Sequence, residues 1–499
     1  MSANYHYPAL IIMVPFISAL LVFVIGWWNK KFSCGLVIAV LAAAFLMSIG
    51  MMKDVIATGT IHYWHGNWEP PWGIEYVVDY LSAFMLVIIS FVSLVVTVYS
   101  KKSIEKEIPD KIAPFYSLYL LLITGLMGIV ITGDLFNVFV FLEIAAISCY
   151  ALIAVGRNGA PYSSFKYVVM GTVGASFYLL GVGYIYIVTG SLNMLDVAKL
   201  LPPLYDSKVV LTAGVFMLVG IAIKMAVYPL HAWAPGAYSD APSAVSALIA
   251  PLMTKVAAYL MIRVFFTVFK PYFFVDVIPL ASILTWIAAV SVIAGSIYAI
   301  AQSDLKKMLS YSVIAQIGYI ALGIGLANEA GLTGAVLHIL NEAFTKACVF
   351  MVAGAIIYKT GSCNITGFKD LYRKMPFTMS AFLIGAFSMV GIPPTCGFFS
   401  KLYLIIGSID AKQWIFVAVL LTSSILNVIY FFRVIKIAAF EEAIPDYSRT
   451  TPYITYRLDE VPISMLIPIL VMAAGILVCG IFSPEIINTV IQHIIPASF

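Results

Sequence analysis
The chain has 499 residues, of which 62% are apolar and only 10% charged, at a mean hydropathy of +1.01. A soluble domain carries about 25% charged residues, so an aqueous surface is excluded; runs of about 20 apolar residues instead match a hydrocarbon core roughly 30 Å thick. The net charge of +4 is scattered over helix ends rather than gathered in a stripe, so the expected partner is a lipid bilayer and not a nucleic acid.

The first apolar run, 9–28, follows no positive n-region and lacks a small-residue cleavage site, so it is expected to stay as a helix. Hydropathy places helices 1 to 7 at 8–28, 33–52, 77–99, 114–132, 134–155, 164–189 and 209–229. Helices 8 to 14 follow at 242–262, 275–300, 308–327, 332–358, 378–408, 413–436 and 461–482. The predicted fold is therefore an all-α polytopic membrane protein of about 14 spans, a single transmembrane domain over 1–499 with no soluble domain left over. The six cysteines, at 34, 149, 348, 363, 396 and 479, form no CxxC pair and imply neither a metal site nor a disulfide framework.

Loops after the odd-numbered helices hold 18 Lys and Arg, and loops after the even-numbered ones hold 6. The positive-inside rule then puts both termini outside a cell (inner or cytoplasmic) membrane. The other four of the 28 basic residues, Lys224, Lys255, Lys346 and Lys401, fall inside spans. A lysine at the centre of a spanning helix costs at least about 2.5 to 3.5 kcal/mol on insertion scales, so a function is the default reading. A static ion pair is the competing one.

Burial disfavours the charged form of Lys and of Glu, and a nearby opposite charge restores it; a dry lysine beside a mobile carboxylate is thus a group that gains and loses protons. Glu143, the only acidic residue inside helix 5, is the natural counter-charge. In helix 11, His338, Glu342 and Lys346 recur every four residues and share one face. An imidazole, a carboxylate and an ammonium in line make a short proton relay or, equally by spacing, a static network. His338 matters most, since an imidazole accepts on one nitrogen and donates from the other.

Two spans read as broken. In Lys224-Met-Ala-Val-Tyr-Pro229-Leu-His231-Ala-Trp233-Ala-Pro235, Pro229 removes a backbone donor near the buried lysine, with His231 close by. In Gly391-Ile-Pro393-Pro394-Thr-Cys-Gly397-Phe-Phe-Ser-Lys401, two prolines and two glycines precede another lysine. Irregular backbone at membrane depth is tolerated only inside protein or along a hydrated cavity. The breaks fall in helices 7 and 12, five spans apart, as two inverted five-helix repeats over helices 4–8 and 9–13 require. The chain then divides into 1–113, a first repeat 114–262, a second 263–440, and 441–499 with helix 14.

Weaker signals stay weak. His62-Tyr-Trp-His65 lies in a Trp-rich loop and reads as an interfacial anchor. Gly323-Ile-Gly325 lacks the strand of a dinucleotide fingerprint and reads as helix packing. Asp134 and Asp304 stand at helix ends, where capping is their expected role.

The stretch Lys224 to Pro235, continued by Ala237-Tyr-Ser-Asp-Ala-Pro-Ser-Ala-Val-Ser-Ala-Leu248 and Lys255, together with Gly391-Ile-Pro-Pro, Gly397-Phe and Lys401, resembles the antiporter-like subunits of Mrp-type cation/proton antiporters, respiratory complex I and membrane-bound hydrogenases. The resemblance runs from helix 3 to helix 13. It implies an ion pair of Glu143 with Lys224, relays at Lys255 and His338, and a terminal lysine at Lys401; by their place in the sequence, Glu342, Lys346 and His231 are the supporting residues. It also implies neighbouring membrane subunits, no cofactor, and protons with or without Na⁺ as cargo. Lys401 departs from the complex I subunit that carries Glu there, and the pattern is similar to the D-type subunit of Mrp antiporters or its hydrogenase equivalent. No catalytic chemistry of its own is expected. The alternative class, a quinone- or haem-binding subunit of a redox enzyme, would need axial histidines inside spans, and only His338 lies well inside one.

Overall fold
The computed structural model describes residues 6–156, 159–441 and 458–496. Every expected span is a helix: Tyr7–Trp28, Lys30–Thr58, Tyr80–Glu107, Ile112–Ile131, Leu135–Ala154, Ala160–Thr189, Lys208–Met225, Ser243–Ile262, Leu280–Ile300, Leu305–Leu326, Glu329–Thr360, Pro376–Val390 with Cys396–Asp410, Trp414–Phe440 and Ile463–Ile481. Thirteen are long and apolar enough to cross a membrane, and helix 12 is the remaining one, interrupted into two halves. The chain is a multi-pass membrane protein. Its extreme termini, to which the expected orientation refers, lie outside the described residues.

Edges differ from hydropathy in instructive ways. Helix 3, expected over 77–99, begins where Asp79 caps the Ser82 amide and runs on to Glu107, because its polar last turns project beyond the apolar stretch. Helix 7, expected to reach 229, stops at Met225, and a short helix, Ala234–Asp240, follows the break. Helix 12, expected as one piece over 378–408, splits around Gly391 to Thr395. The loop between helices 2 and 3 adds a hairpin to the helical fold: Ile61–Trp64 pairs antiparallel with Glu75–Val78 around a short turn of 3-10 helix, His65–Asn67. Short runs of β-branched and aromatic residues fit a pleated ladder.

Two parts of the chain repeat one local structure. Helix 6 ends on Thr189-Gly-Ser-Leu-Asn-Met194 and helix 11 on Thr360-Gly-Ser-Cys-Asn-Ile365. Gly190 and Gly361 both hold the left-handed conformation, with φ of +69° and +74°, which glycine adopts without a Cβ penalty. Each threonine hydroxyl donates to the carbonyl four residues back and to the one two residues on. Each asparagine then pairs with the aspartate opening a helix, Asn193 with Asp134 and Asn364 with Asp304. These aspartates cap their helices as expected, accepting from the Asn137 and Lys307 amides at 2.7 and 2.9 Å. Five spans separate the copies, so alternation puts the two joints on opposite sides of the membrane, as an inverted repeat requires.

The breaks match as well. Helix 7 ends on Ala226 (φ 59°) three residues before the cis peptide to Pro229, and the first half of helix 12 ends on Gly391 (φ 92°) three residues before the cis peptide to Pro394. Helices 8, 10 and 11 form the centre of the bundle: 94% of their most apolar stretches are buried in protein, against 33% for helix 13. Gly323 and Gly325 serve that packing, lying against Gly331 and Leu404 and against Ala281 and Thr285.

Candidate ion path
Lys224 sits in the last turn of the half-helix Lys208–Met225, where carbonyls lack helical partners and the helix dipole favours a cation. Its Nζ is 3.8 Å from Glu143 Oε1 on helix 5, with the lysine 7% and the glutamate 28% exposed. Neither atom makes a hydrogen bond to protein, so the pair touches through charge, at a spacing a bridging water fits. Trp233, stacked on Tyr167 at 3.9 Å, fixes the break by donating from Nε1 to the Ile223 carbonyl. A cavity of about 20 Å³ beside Lys224 is bounded by Tyr167 and by Met253, Val256 and Ala257, the helix 8 neighbours of Lys255. That is room for about one water.

In the centre, Lys255 Nζ donates to the Ala250 carbonyl at 3.0 Å and lies 3.5 Å from Glu342 Oε2. The same oxygen is 4.0 Å from Lys346 Nζ, which donates to Ser312 Oγ at 2.6 Å. Glu342 and Lys346 are fully buried and Lys255 is 1% exposed. One carboxylate is thus shared by two ammonium groups, and neither of its oxygens has a hydrogen-bonding partner in the protein.

His338, one turn before Glu342, has partners of its own. Its Nδ1 pairs with Ser400 Oγ at 2.9 Å and its Nε2 faces Gln316 Oε1 at 3.0 Å, while the ring stacks on Tyr319. Lys401 Nζ lies 4.9 Å from the centre of the same Tyr319 ring and donates to the carbonyls of Met389 and Val390 at 2.7 and 3.1 Å. Met389 holds in helix 12 the position that Lys224 holds in helix 7, two residues before the left-handed cap. The two lysines start on opposite sides of their breaks: Lys224 stands in the last turn of its half-helix, whereas Lys401 reaches back to the carbonyl end of the half-helix before it.

The structure therefore brings Glu143 to Lys224 and joins Lys255, Glu342 and Lys346. His338 and Lys401 meet on Tyr319, behind Ser400 and Gln316. It does not bring His231 in: that ring stacks on Tyr228 and Tyr298 at the break, half-buried. Both His338 nitrogens are engaged.

Two basic residues counted as loop residues are buried. Arg263, on the π-helical turn that continues helix 8, makes a two-pronged bond to Asp79 at 2.6 and 2.7 Å. Lys306, 5% exposed, donates to the Ala241 carbonyl at 2.6 Å. They come one from each side of the membrane, so the charge asymmetry of the loops is unchanged. Their signal in sequence is an acidic residue at a neighbouring helix end, which hydropathy windows do not weigh. His62, expected as part of an interfacial anchor, forms a 2.7 Å pair with Glu75 across the hairpin. Burial pushes the nearby His65 imidazole below the usual histidine range.

Charges of both signs, buried along a bundle with two interrupted helices, define an ion-handling polytopic membrane subunit. Residues 132–427 match the family described as NADH:quinone oxidoreductase/Mrp antiporter, transmembrane, and residues 66–107 match the complex I chain 5 N-terminal family. The NADH-quinone oxidoreductase subunit N of Desulforudis audaxviator is 43% identical, over 98% of this chain and 99% of its own. The D-type subunit of the Na⁺/H⁺ antiporter of Alkalihalophilus pseudofirmus is 32% identical, over 90% and 88%. A chain of an archaeal membrane-bound sulfane sulfur reductase superposes with a TM-score of 0.88 at 32% identity, covering 98% of both chains. A chain of the Mrp complex from Dietzia sp. DQ12-45-1b has the same fold, with a TM-score of 0.89 at 24% identity over 99% and 97%. The chain belongs to the NADH:quinone oxidoreductase/Mrp antiporter family of membrane subunits.

Proposed function
We propose that this chain is the proton-translocating, antiporter-like subunit of a multisubunit membrane complex, either an Mrp-type antiporter or a respiratory assembly of the complex I kind. The observation that carries the reading is the row of buried charges: Glu143 with Lys224, then Lys255, Glu342 and Lys346, then His338 and Lys401. Glu342 holds one negative charge between two ammonium groups, so a proton leaving either lysine leaves the other as a compensated pair. Glu143, 28% exposed beside a lysine that is 7% exposed, loads the first site, Lys255 and His338 relay, and Lys401 releases. Pro393 and Pro394 matter because their break frees the Met389 and Val390 carbonyls that Lys401 binds, and Pro229 because it follows the end of the half-helix that carries Lys224. Na⁺ is exchanged where the parent complex is an antiporter, and the subunits that copurify with the native chain distinguish the two parents.

The same reading divides the chain into 1–113, repeats 114–262 and 263–440, and 441–499. It places the Lys- and Arg-rich loops in the cytoplasm and both termini outside the cell membrane. The test is pH-gradient-driven transport by the native complex in proteoliposomes. Lys224→Ala and Glu143→Ala should each lower it at least tenfold with the complex still assembled, since each strands one half of a pair. Full transport by either variant sinks the ion-pair role.

A further inference from the structure
Helix 13 turns a mostly apolar surface outwards, with Ile425, Val428, Ile429 and Phe432 exposed. Its inner face nevertheless carries Ser423, Asn427 and Tyr430, spaced by four and three residues and all fully buried. Polar side chains inside a span need partners. Ser423 Oγ lies 3.0 Å from Ser296 Oγ on helix 9, a contact between helices and no more. Asn427 is different. Its Nδ2 donates to the Met389 carbonyl at 3.0 Å, and its Oδ1 accepts from the Tyr430 hydroxyl at 2.8 Å.

The Met389 carbonyl is special by sequence. In a helix it would accept from the amide of residue 393, and the Val390 carbonyl from that of residue 394, but both are prolines and have no N–H. Lys401 supplies the missing donors, reaching Met389 at 2.7 Å and Val390 at 3.1 Å, with Ser424 Oγ at 3.2 Å as its third acceptor. A carbonyl oxygen has two lone pairs, so Met389 holds the Lys401 ammonium and the Asn427 amide together. Since a carbonyl only accepts, Nδ2 must face it, and the bond from Tyr430 to Oδ1 fixes the amide in that sense. At the first break the duties are separate: Trp233 Nε1 holds the Ile223 carbonyl, and Lys224 Nζ makes no hydrogen bond to protein.

We propose that Asn427, oriented by Tyr430, is a positioning residue for Lys401, keeping the Met389 carbonyl satisfied when the lysine withdraws. The inference rests on the reading of Lys401 as the lysine that releases the proton. To release it, the side chain must leave two carbonyls that have no helical partner, and an unsatisfied buried acceptor opposes that step. Asn427 remains on Met389 through the cycle, so the end of the half-helix keeps its shape and Lys401 is free to depart and return.

The experiment measures pH-gradient-driven transport by the native complex in proteoliposomes. Asn427→Ala should lower the maximal rate about fivefold and move the half-saturating cation concentration less than about twofold, because release is hindered and loading is not. Tyr430→Phe keeps the ring and loses only the bond that orients the amide; it should lower the maximal rate about two- to threefold in the same way. In the Lys401→Ala background neither substitution should lower the remaining transport by more than about twofold, since a residue that acts through Lys401 has nothing left to position. A role in helix packing would lower the rate by the same factor in both backgrounds, and that outcome overturns the proposal. So does an unaltered maximal rate in Asn427→Ala. Where Asn427→Ala does not assemble, Tyr430→Phe in the two backgrounds makes the same test. Lys401→Ala at the rate of the unaltered complex sinks the terminal lysine itself; a slow Lys401→Ala beside unaltered Asn427→Ala and Tyr430→Phe sinks this inference alone.

Discussion
The first half of the bundle holds a simple pair, and its seam with the second holds a crowd. Glu143 and Lys224 face each other alone at 3.8 Å with the carboxylate partly exposed, whereas Glu342 is shared by Lys255 and Lys346 in full burial, with Lys401 and His338 one layer further on. Inverted repeats of one backbone plan thus carry unequal chemistry. Where one acid faces one base, the pair is either closed or parted. Where one acid faces two bases, the proton has two places to go, and the site passes charge along helix 11 instead of only storing it.

The largest expected effect tests that inequality. Glu342→Gln strands two buried ammonium groups where Glu143→Gln strands one, so proteoliposome transport should fall at least a hundredfold for the first and about tenfold for the second, taking the loss of a buried charge partner at about 3 to 5 kcal/mol in full burial and less at the surface. Equal losses would mean that the two halves work alike. Next comes stability: Arg263→Ala removes both prongs of the Asp79 bond and should destabilise the chain by about 3 to 5 kcal/mol, measured as thermal unfolding of the complex. Lys401→Arg comes third. An arginine stays protonated under ordinary conditions, so transport should drop about tenfold, nearly as far as in Lys401→Ala; a rate close to that of the unaltered complex would show that Lys401 holds its proton throughout.

Most of the helices were legible because a bilayer enforces length and apolarity together. The pairing of Glu143 with Lys224 was legible for a related reason, since a lone acid inside one apolar span and a lone lysine inside another have few other partners. The partners of Lys255 and His338 were not, because helix spacing gives the face of a residue and not what packs on it; Ser400 and Gln316 reach His338 from helices 12 and 10. Lys306 and Arg263 were hidden by the habit of assigning charged helix ends to water. The repeat itself stands in the sequence as Thr-Gly-Ser-x-Asn at 189–193 and 360–364, yet its meaning needs the joint each asparagine makes with an aspartate.

The smallest effect concerns the hairpin. Glu75 is 4% exposed, and its carboxylate is held by His62 Nδ1 at 2.7 Å, Trp64 Nε1 at 3.2 Å and Asn193 Nδ2 at 2.9 Å. Glu75→Ala removes all three and leaves a buried Asn193 amide without its acceptor, which costs about 1 to 3 kcal/mol locally. The backbone bond from Gly133 to the residue 75 carbonyl and the ladder between residues 61–64 and 75–78 do not need that side chain. The hairpin should therefore loosen without leaving. Hydrogen exchange of the amides over residues 61–78 should speed up about tenfold or more, while transport changes by less than twofold. A transport loss approaching that of Glu342→Gln would place the first joint on the path.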